Sequence, residues 1–177
     1  MLVECGFVRA VASDGAEFTF RPSLARIASL GTPQEIVSLY AGLHGPRAAQ
    51  DSAYVLACLA DQDDVTPLVG WTDEQGFHAG LMPPDEQVIM ARHLMQHGIV
   101  GKAKPGTKQG EYSDTFMAAE YIAAACVHLG LSREDAESLS MTEFQTMFEM
   151  KFPDSKAKDV PGRDAYRAFM EKITKAA

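Results

Sequence analysis

Residues 130–151 read GLSREDAESLSMTEFQTMFEMK and contain the clearest helix signals of the chain. Ser132 precedes Asp135 by three positions, and Ser140 precedes Glu143 by the same spacing. A serine placed this way accepts a hydrogen bond from an amide of the first helical turn, and the following carboxylate can bond back to the serine amide. Each pair therefore marks a helix start, and the two together predict a short helix followed by a helix through about Lys151.

Similar signals upstream indicate a mainly helical chain. Thr32-Pro33-Gln34-Glu35 combines a threonine N-cap, a proline at the first helical position and a glutamate that closes a capping box. The apolar residues that follow recur at the spacing of one buried helical face. The other predicted helices run from Ser23 to Leu30, from about Gly45 to Asp61, from Asp85 to about His97 with Gly98 as its C-terminal stop, and as one buried helix from about Ser113 to Leu129, closed by Gly130.

The N-terminal region carries the strand signal. Residues 2–12 and 16–20 are rich in strand-forming residues, and Ser13-Asp14-Gly15 separates them. Asp-Gly between two such runs is a strong hairpin signal. Because one hairpin is at best marginally stable in water, we expect it to pack on the helices. We expect residues 61–84 to form a long loop, in which Asp61, Asp63 and Asp64 make a solvated acidic turn rather than a calcium site.

The C-terminal region combines a flexible segment with an amphipathic helix. Residues 153–162 have the composition of a linker, and a last helix is predicted from about Arg163 to Lys175. The sequence thus predicts a mainly α (α+β) protein: an N-terminal β-hairpin packed on a multi-helix domain (1–152), a linker (153–162) and a tethered C-terminal amphipathic helix (163–177). The apolar stripe of that helix needs a partner, either the body of the same chain or a neighbouring molecule.

Charge, cysteine content and the apolar segments argue against nucleic-acid-binding, zinc-ribbon, secreted and membrane proteins. The formal net charge of −8 disfavours non-specific binding to nucleic acids, whose phosphates would be repelled. Cys5, Cys58 and Cys126 are odd in number and form no C-x-x-C pair, so we expect a reducing compartment and no zinc ribbon. The chain start lacks a basic region followed by an apolar stretch, so we expect no signal peptide, and no segment is apolar enough for a membrane span.

The candidate catalytic and cofactor sites are weak. His93 and His97 share a helical face, but Leu94 occupies the position where a zincin has glutamate, and the sequence indicates no third metal ligand. The segment 98–103 resembles a phosphate loop only superficially, because it follows a helix and has Ala103 after the lysine. We therefore predict no catalytic residue, no cofactor and no metal, and we keep a cryptic metal-dependent enzyme using the two histidines as a minor alternative.

Methionine is the compositional oddity, because eight of the nine lie at or beyond Met82. Its flexible thioether suits surfaces that adapt to apolar helices, although ordinary core filling explains many such residues. The end of the 141–151 helix is apolar on all sides, which favours more than one packing partner. The residues predicted to bind a partner are Met147, Phe148, Met150, Phe152, Tyr166, Phe169, Met170 and Ile173.

Several stretches resemble a family of proteins encoded among the tail genes of long-tailed bacteriophages and prophages. They are Phe20–Ser23, Gly31–Val37, Leu94–Ala103, Glu120–Ala125, His128–Arg133 and Met141–Gln145, ending near Lys151-Phe152-Pro153. The segment Gly130–Lys151 is also similar to tail assembly chaperones of lambda-like phages. Such chaperones bind the long helical tape measure protein and keep it soluble until the tail tube polymerises around it.

The resemblance implies a non-enzymatic binder of phage tail proteins in the host bacterial cytoplasm. The suspected partner is the tape measure protein, and the chain would also form homo-oligomers. The alternative is a structural virion component, a tail or head-to-tail accessory protein whose hairpin extends a sheet between subunits. Neither reading involves nucleic acid or membrane binding.

Overall fold

The structure is a computed structural model and describes residues 3–102 and 114–153. Most of this part of the chain is helical, and two short antiparallel hairpins complete it, so the protein is mainly α with a small β component. The strands are β1 (Val8–Val11), β2 (Glu17–Phe20), β3 (Trp71–Asp73) and β4 (Gly76–His78). The helices are α1 (Leu24–Ser29), α2 (Pro33–Gly42), α3 (Ala48–Leu59), α4 (Thr66–Val69), α5 (Pro84–Met95), α6 (Ala118–Ala124), α7 (Arg133–Ser138) and α8 (Met141–Lys151).

The predicted N-terminal hairpin is confirmed. β1 pairs with β2, and the loop of Ser13, Asp14 and Gly15 carries its single positive φ, +88°, at Gly15. The Ala12 amide donates to the Ala16 carbonyl at 2.8 Å, as in a three-residue hairpin loop. Phe18 and Phe20 of β2 point into the core and are buried, so the hairpin packs on the helices as expected.

The helix starts predicted at Ser23, Thr32, Ser132 and Ser140 are also confirmed. Both capping boxes form: the Glu35 side chain bonds to the Thr32 amide, and the Glu143 side chain bonds to the Ser140 amide. Ser23 and Ser132 accept hydrogen bonds from the first turns of α1 and α7. These local bonds fix where the helices begin, and apolar burial fixes how they pack.

One continuous core joins the hairpin to the helices, and the packing of α3 against α5 is the most extensive contact between elements. Its largest fully buried side chains come from β2 and from most of the helices. They are Phe20, Leu24, Ile27, Ile36, Leu43, Val55, Leu56, Leu59, Leu68, Leu94, Met95 and Met141. The described residues contain no helix long and apolar enough to cross a membrane.

The expectation of an irregular loop over residues 61–84 is wrong. This region contains α4 and the β3–β4 hairpin. The Asp64 carboxylate accepts from the Thr66 amide and hydroxyl, which starts α4 just before Pro67. The Asp73 carboxylate accepts from the Gln75 amide and shapes the hairpin turn. Short side-chain-to-backbone bonds thus organise a segment whose composition is typical of a loop.

The acidic turn is not uniformly solvated either. The Asp61 carboxylate accepts from the Thr19 hydroxyl at 2.7 Å and lies 3.0 Å from both the Arg21 and Arg26 guanidinium groups. Its amide donates to the Thr19 carbonyl. Asp61 therefore ties the end of α3 to β2 and α1.

The predicted stop of the fifth helix at Gly98 is wrong. α5 continues as a π-helical turn over Gln96–Val100 and ends at Gly101. Gly98 is buried, and a Cβ atom there would lie 2.5 Å from Ile27 Cδ1 and 3.1 Å from Pro22 Cβ. The glycine allows the helix to pass close to α1, which is a packing role rather than a termination signal.

The long buried helix over 113–129 is also corrected. α6 begins at Ala118, after a non-helical stretch in which the Phe116 amide donates to the Pro33 carbonyl at 3.0 Å. It ends in a π-helical turn, Ala125–Leu129, followed by Gly130 in the left-handed conformation, as predicted. Only one side of this helix is buried, because Val127 is 76% exposed. The predicted linker beyond Pro153 and the C-terminal helix lie outside the described residues.

Candidate protein-binding surfaces

Helix α8 is held firmly at its first turn. Ser140 is fully buried and forms a bridge with Ser23, which precedes α1. The capping box closes over the same serine, with 2.9 Å from its amide to the Glu143 carboxylate. The start of α8 is therefore fixed to the core by both its backbone and its cap.

A second set of contacts joins α8 to the end of α5. The Gln145 side chain donates to the Val100 carbonyl at 3.0 Å and accepts from the Lys102 amide at 2.8 Å. The Lys102 ammonium lies 3.2 Å from the Glu149 carboxylate. These three contacts lie on one side of α8 and fix its orientation along the body.

A row of aromatic rings, the aromatic row, joins α8 to the body: Phe116 precedes α6, Tyr121 lies on α6, Phe144 and Phe148 lie on α8, and Phe152 follows it. Successive ring centroids lie 5.4, 5.6, 5.7 and 4.8 Å apart. The row starts at buried Phe116 and ends at half-buried Phe148 and Phe152, where His128 packs edge-on against both rings. Aromatic contacts at these distances are favourable and anchor the whole length of α8.

The opposite side of α8 exposes apolar groups to solvent. Met147 is 36% exposed and Met150 is 78% exposed, and they lie three residues apart on one helical face. We call Met147 and Met150 the α8 surface. The structure places four of the residues predicted to bind a partner at the end of α8: Met147 and Met150 form this surface, whereas Phe148 and Phe152 belong to the aromatic row. The other four, Tyr166, Phe169, Met170 and Ile173, lie outside the described residues.

A larger apolar surface lies on another part of the molecule, and sequence reasoning missed it. A groove of about 540 Å³, the β1–α5 groove, opens between the N-terminal hairpin and α5. Four large apolar residues that line it are strongly exposed. They are Val3 (54%), Val11 (59%), Leu81 (48%) and Ile89 (67%). Exposed apolar groups that converge on a concave site are typical of a binding surface.

One wall of the groove is a helical face of α5. Glu86, Ile89, Met90 and His93 line it at positions i, i+3, i+4 and i+7. The deeper face of α5, with Gln87, Ala91, Leu94 and Met95, is buried in the core. Helix α5 is therefore apolar on two faces, and this pattern is the sequence signal that could have revealed the groove.

The other wall is β1, which is the free edge of the hairpin. β2 has β1 on one side and residues 59–61 on the other, where the Arg21 amide donates to the Leu59 carbonyl at 2.9 Å. Within residues 3–102 and 114–153 no strand pairs with the second side of β1. By the alternation of an antiparallel ladder, Arg9 and Val11 direct their backbone groups to this free edge.

The two candidate metal ligands, His93 and His97, lie side by side in the structure. The His93 and His97 rings lie 4.6 Å apart, and Nδ1 of His97 is 2.8 Å from the Thr142 hydroxyl of α8. Burial, and then the neighbouring His93, lowers the pKa of His97 below its usual 6.5. In the part of the chain that the structure describes, no group of three or more His, Cys, Asp or Glu side chains could hold a metal ion.

Two of the three cysteines lie where burial disfavours the thiolate. Burial raises the pKa of both the Cys5 and the Cys58 thiols above the usual value. A raised pKa keeps a thiol protonated at neutral pH and lowers its nucleophilicity. All three cysteines are free thiols of intermediate burial.

Comparison with known proteins identifies a family. The model of a family of unknown function, DUF6246, matches residues 45–168, which is more than half of the chain. No curated protein and no solved structure matches the chain. The matched range contains α3 to α8, and therefore the α8 surface and the α5 wall of the groove, but not β1.

Proposed function

The chain belongs to DUF6246, a family of unknown function, and we propose that it is a phage tail assembly chaperone. In this role it binds an apolar helical segment of a tail protein and keeps that protein soluble before assembly. The α8 surface makes the contact. The proposal also places the protein in the host bacterial cytoplasm, where tails are assembled.

The observation that carries the proposal is the exposed pair Met147 and Met150 on a helix that is otherwise anchored along its length. A binding helix must not itself be displaced, and the aromatic row holds α8 on the body. The exposed thioethers can then adapt to different apolar partners, because methionine has three rotatable bonds and a polarizable sulfur. A rigid support with flexible contact groups suits a chaperone that holds several turns of a partner helix.

The choice of partner rests on the sequence resemblance. Residues 130–151 are similar to tail assembly chaperones, and those proteins bind the tape measure protein. The resemblance covers α7 and α8, which include the exposed methionines. The tape measure protein of the same phage is therefore the proposed partner, and further copies of the chain would bind along its length.

A co-expression experiment tests this role. The tape measure protein is produced alone, with the chain, and with the double variant Met147→Glu/Met150→Glu, and its soluble fraction is measured. The matched control is Lys151→Glu, which changes the charge of α8 by the same amount without removing an apolar group. The proposal expects the wild-type chain and the control to keep the partner soluble and the double variant to lose most of this effect. Equal solubilisation by the double variant and the control would contradict it.

The free edge of β1 favours a second candidate function, a structural component of the virion. An unpaired strand edge with outward backbone groups can accept a strand from a neighbouring subunit and so extend a sheet between copies. Mass spectrometry of purified virions distinguishes the two, because a structural component is present at a fixed copy number and a chaperone is absent.

A further inference from the structure

The β1–α5 groove exposes more large apolar side chains than a monomer commonly gathers at one concave site. Val3, Val11, Leu81 and Ile89 come from four separate parts of the chain and all border it. Covering them would remove apolar surface from water, which is favourable. A segment that covers them needs a matching shape, complementary charge and a long enough connection to the body.

The predicted C-terminal helix has a matching shape. Its apolar residues Tyr166, Phe169, Met170 and Ile173 fall at i, i+3, i+4 and i+7. The α5 wall of the groove repeats this spacing with Glu86, Ile89, Met90 and His93. Both faces span two helical turns, about 10 Å, so the two rows can pack side by side along their full length.

The charges of the two parts are complementary. Residues 1–153 hold 10 basic and 20 acidic residues, whereas residues 154–177 hold 6 basic and 4 acidic ones. The groove lining contains the carboxylate of Glu86 and neither lysine nor arginine, and Asp85 adjoins it in the first turn of α5. On the predicted helix, Arg167 and Lys172 flank the apolar stripe on its two sides and can face this acidic rim.

The linker is long enough for the C-terminal helix to reach the β1–α5 groove of the same chain. Thr142, in the first turn of α8, touches His97, and His97 touches His93 in the groove wall. Helix α8 adds about 16 Å, so Pro153 lies within roughly 30 Å of the groove. The ten residues 153–162 can span up to ~33 Å when extended.

We propose that the C-terminal helix of the chain packs into the β1–α5 groove of the same molecule. A tethered helix has an effective concentration in the millimolar range at a site within its reach, which favours it over a second copy at ordinary concentrations. The helix also gains from docking, because an isolated helix of this length is only marginally stable in water. This surface is separate from the α8 surface, so the inference stands or falls independently of the chaperone role.

Hydrogen–deuterium exchange of the full-length chain tests the inference. A docked helix protects the amides of residues 166–173 by at least ~100-fold relative to an unstructured peptide, whereas an undocked helix of this length stays within about tenfold. The variant Ile89→Glu places a charge at a position that is already 67% exposed, so the fold is retained. Val127→Glu is its matched control, with the same added charge at an exposed apolar residue outside the groove.

Variants of the helix itself complete the design. Phe169→Glu interrupts the apolar stripe, and Ala168→Glu adds the same charge on the opposite helical face. We expect strong protection in the wild type and in both controls, and its loss in Ile89→Glu and Phe169→Glu. This protection should not change with protein concentration.

Three results would overturn the inference. The first is an unprotected helix in the wild-type chain, and the second is protection that survives Ile89→Glu. The third is protection that rises with protein concentration, because the groove would then be occupied by the helix of a second copy.

Discussion

The two apolar surfaces of this protein differ in how they are built. The α8 surface is convex and lies on one helix, whose buried side is fixed by the aromatic row. The β1–α5 groove is concave, and its exposed residues lie up to 86 positions apart in sequence, from Val3 to Ile89. The α8 surface suits an adaptable contact with a helix of another protein. The β1–α5 groove suits binding of one particular helix. Apolar exposure alone therefore does not specify a function, and the shape of the supporting structure has to be considered.

Substitutions on the two sides of α8 should differ most in the free energy of unfolding. Phe148 packs between Phe144 and Phe152, so Phe148→Ala should lower the free energy of unfolding by about 2 kcal/mol, less than for a fully buried ring. Met150→Ala should change it by no more than about 0.5 kcal/mol, because that side chain is 78% exposed. Urea unfolding of both variants measures the difference, and equal losses would show that the methionine is not a surface group.

An effect of similar size concerns the junction between α5 and α8. Gly101 has φ +75° and ψ −136°, and a Cβ atom there would lie 2.3 Å from the Gln145 side chain. Gly101→Ala should therefore destabilise the protein by about 2 kcal/mol, through backbone strain and loss of the Gln145 contacts. Gly130→Ala is the control, because Gly130 also has a positive φ (+77°) but no atom within 4 Å of the added Cβ.

The glycine pair tests which contacts orient α8. The control should lose only about 1 kcal/mol, the usual penalty for a left-handed alanine. Thermal or urea unfolding gives both values. If Gly130→Ala lowers the free energy of unfolding as much as Gly101→Ala does, the Gln145 contacts do not stabilise the junction.

The smallest effect is a pH dependence at the same junction. The pKa of His97 is lowered in the folded protein, mainly by burial and also by His93, so the unfolded chain takes up a proton near pH 6.5 before the folded chain does. Stability should therefore be unaffected well above that value and should fall as the pH drops through it. His97→Gln should make the urea unfolding midpoint nearly independent of pH around this value. A midpoint that depends on pH as steeply in the variant as in the wild type would assign the effect to other titratable groups.

Local signals in the sequence predict much of the fold. The hairpin at Asp14-Gly15, the capping boxes at Thr32 and Ser140, and the left-handed stop at Gly130 depend on neighbouring residues, and all are present in the structure. The errors arise where tertiary contacts decide. Gly98 looks like a helix stop, but Ile27 and Pro22 require its small size for close packing.

The two surfaces follow the same division. The exposed methionines of α8 belong to one helix end that is apolar on all sides, so the local sequence indicates them. The groove needs β1, residues 81–82 and α5 to converge, and only the fold brings them together. A sequence pattern can show that α5 is apolar on two faces, but it cannot show that one of them stays uncovered by the rest of the body.

The chaperone proposal is tested by affinity capture of the tagged full-length chain from bacteria producing the phage, combined with the protein composition of purified virions. The account predicts that the tape measure protein co-purifies with the wild-type chain, that Met147→Glu/Met150→Glu loses it while Lys151→Glu retains it, and that the chain is absent from virions. Presence of the chain in virions at a fixed copy number, or capture that is unchanged by the double variant, would contradict the proposed role of the α8 surface in tail assembly.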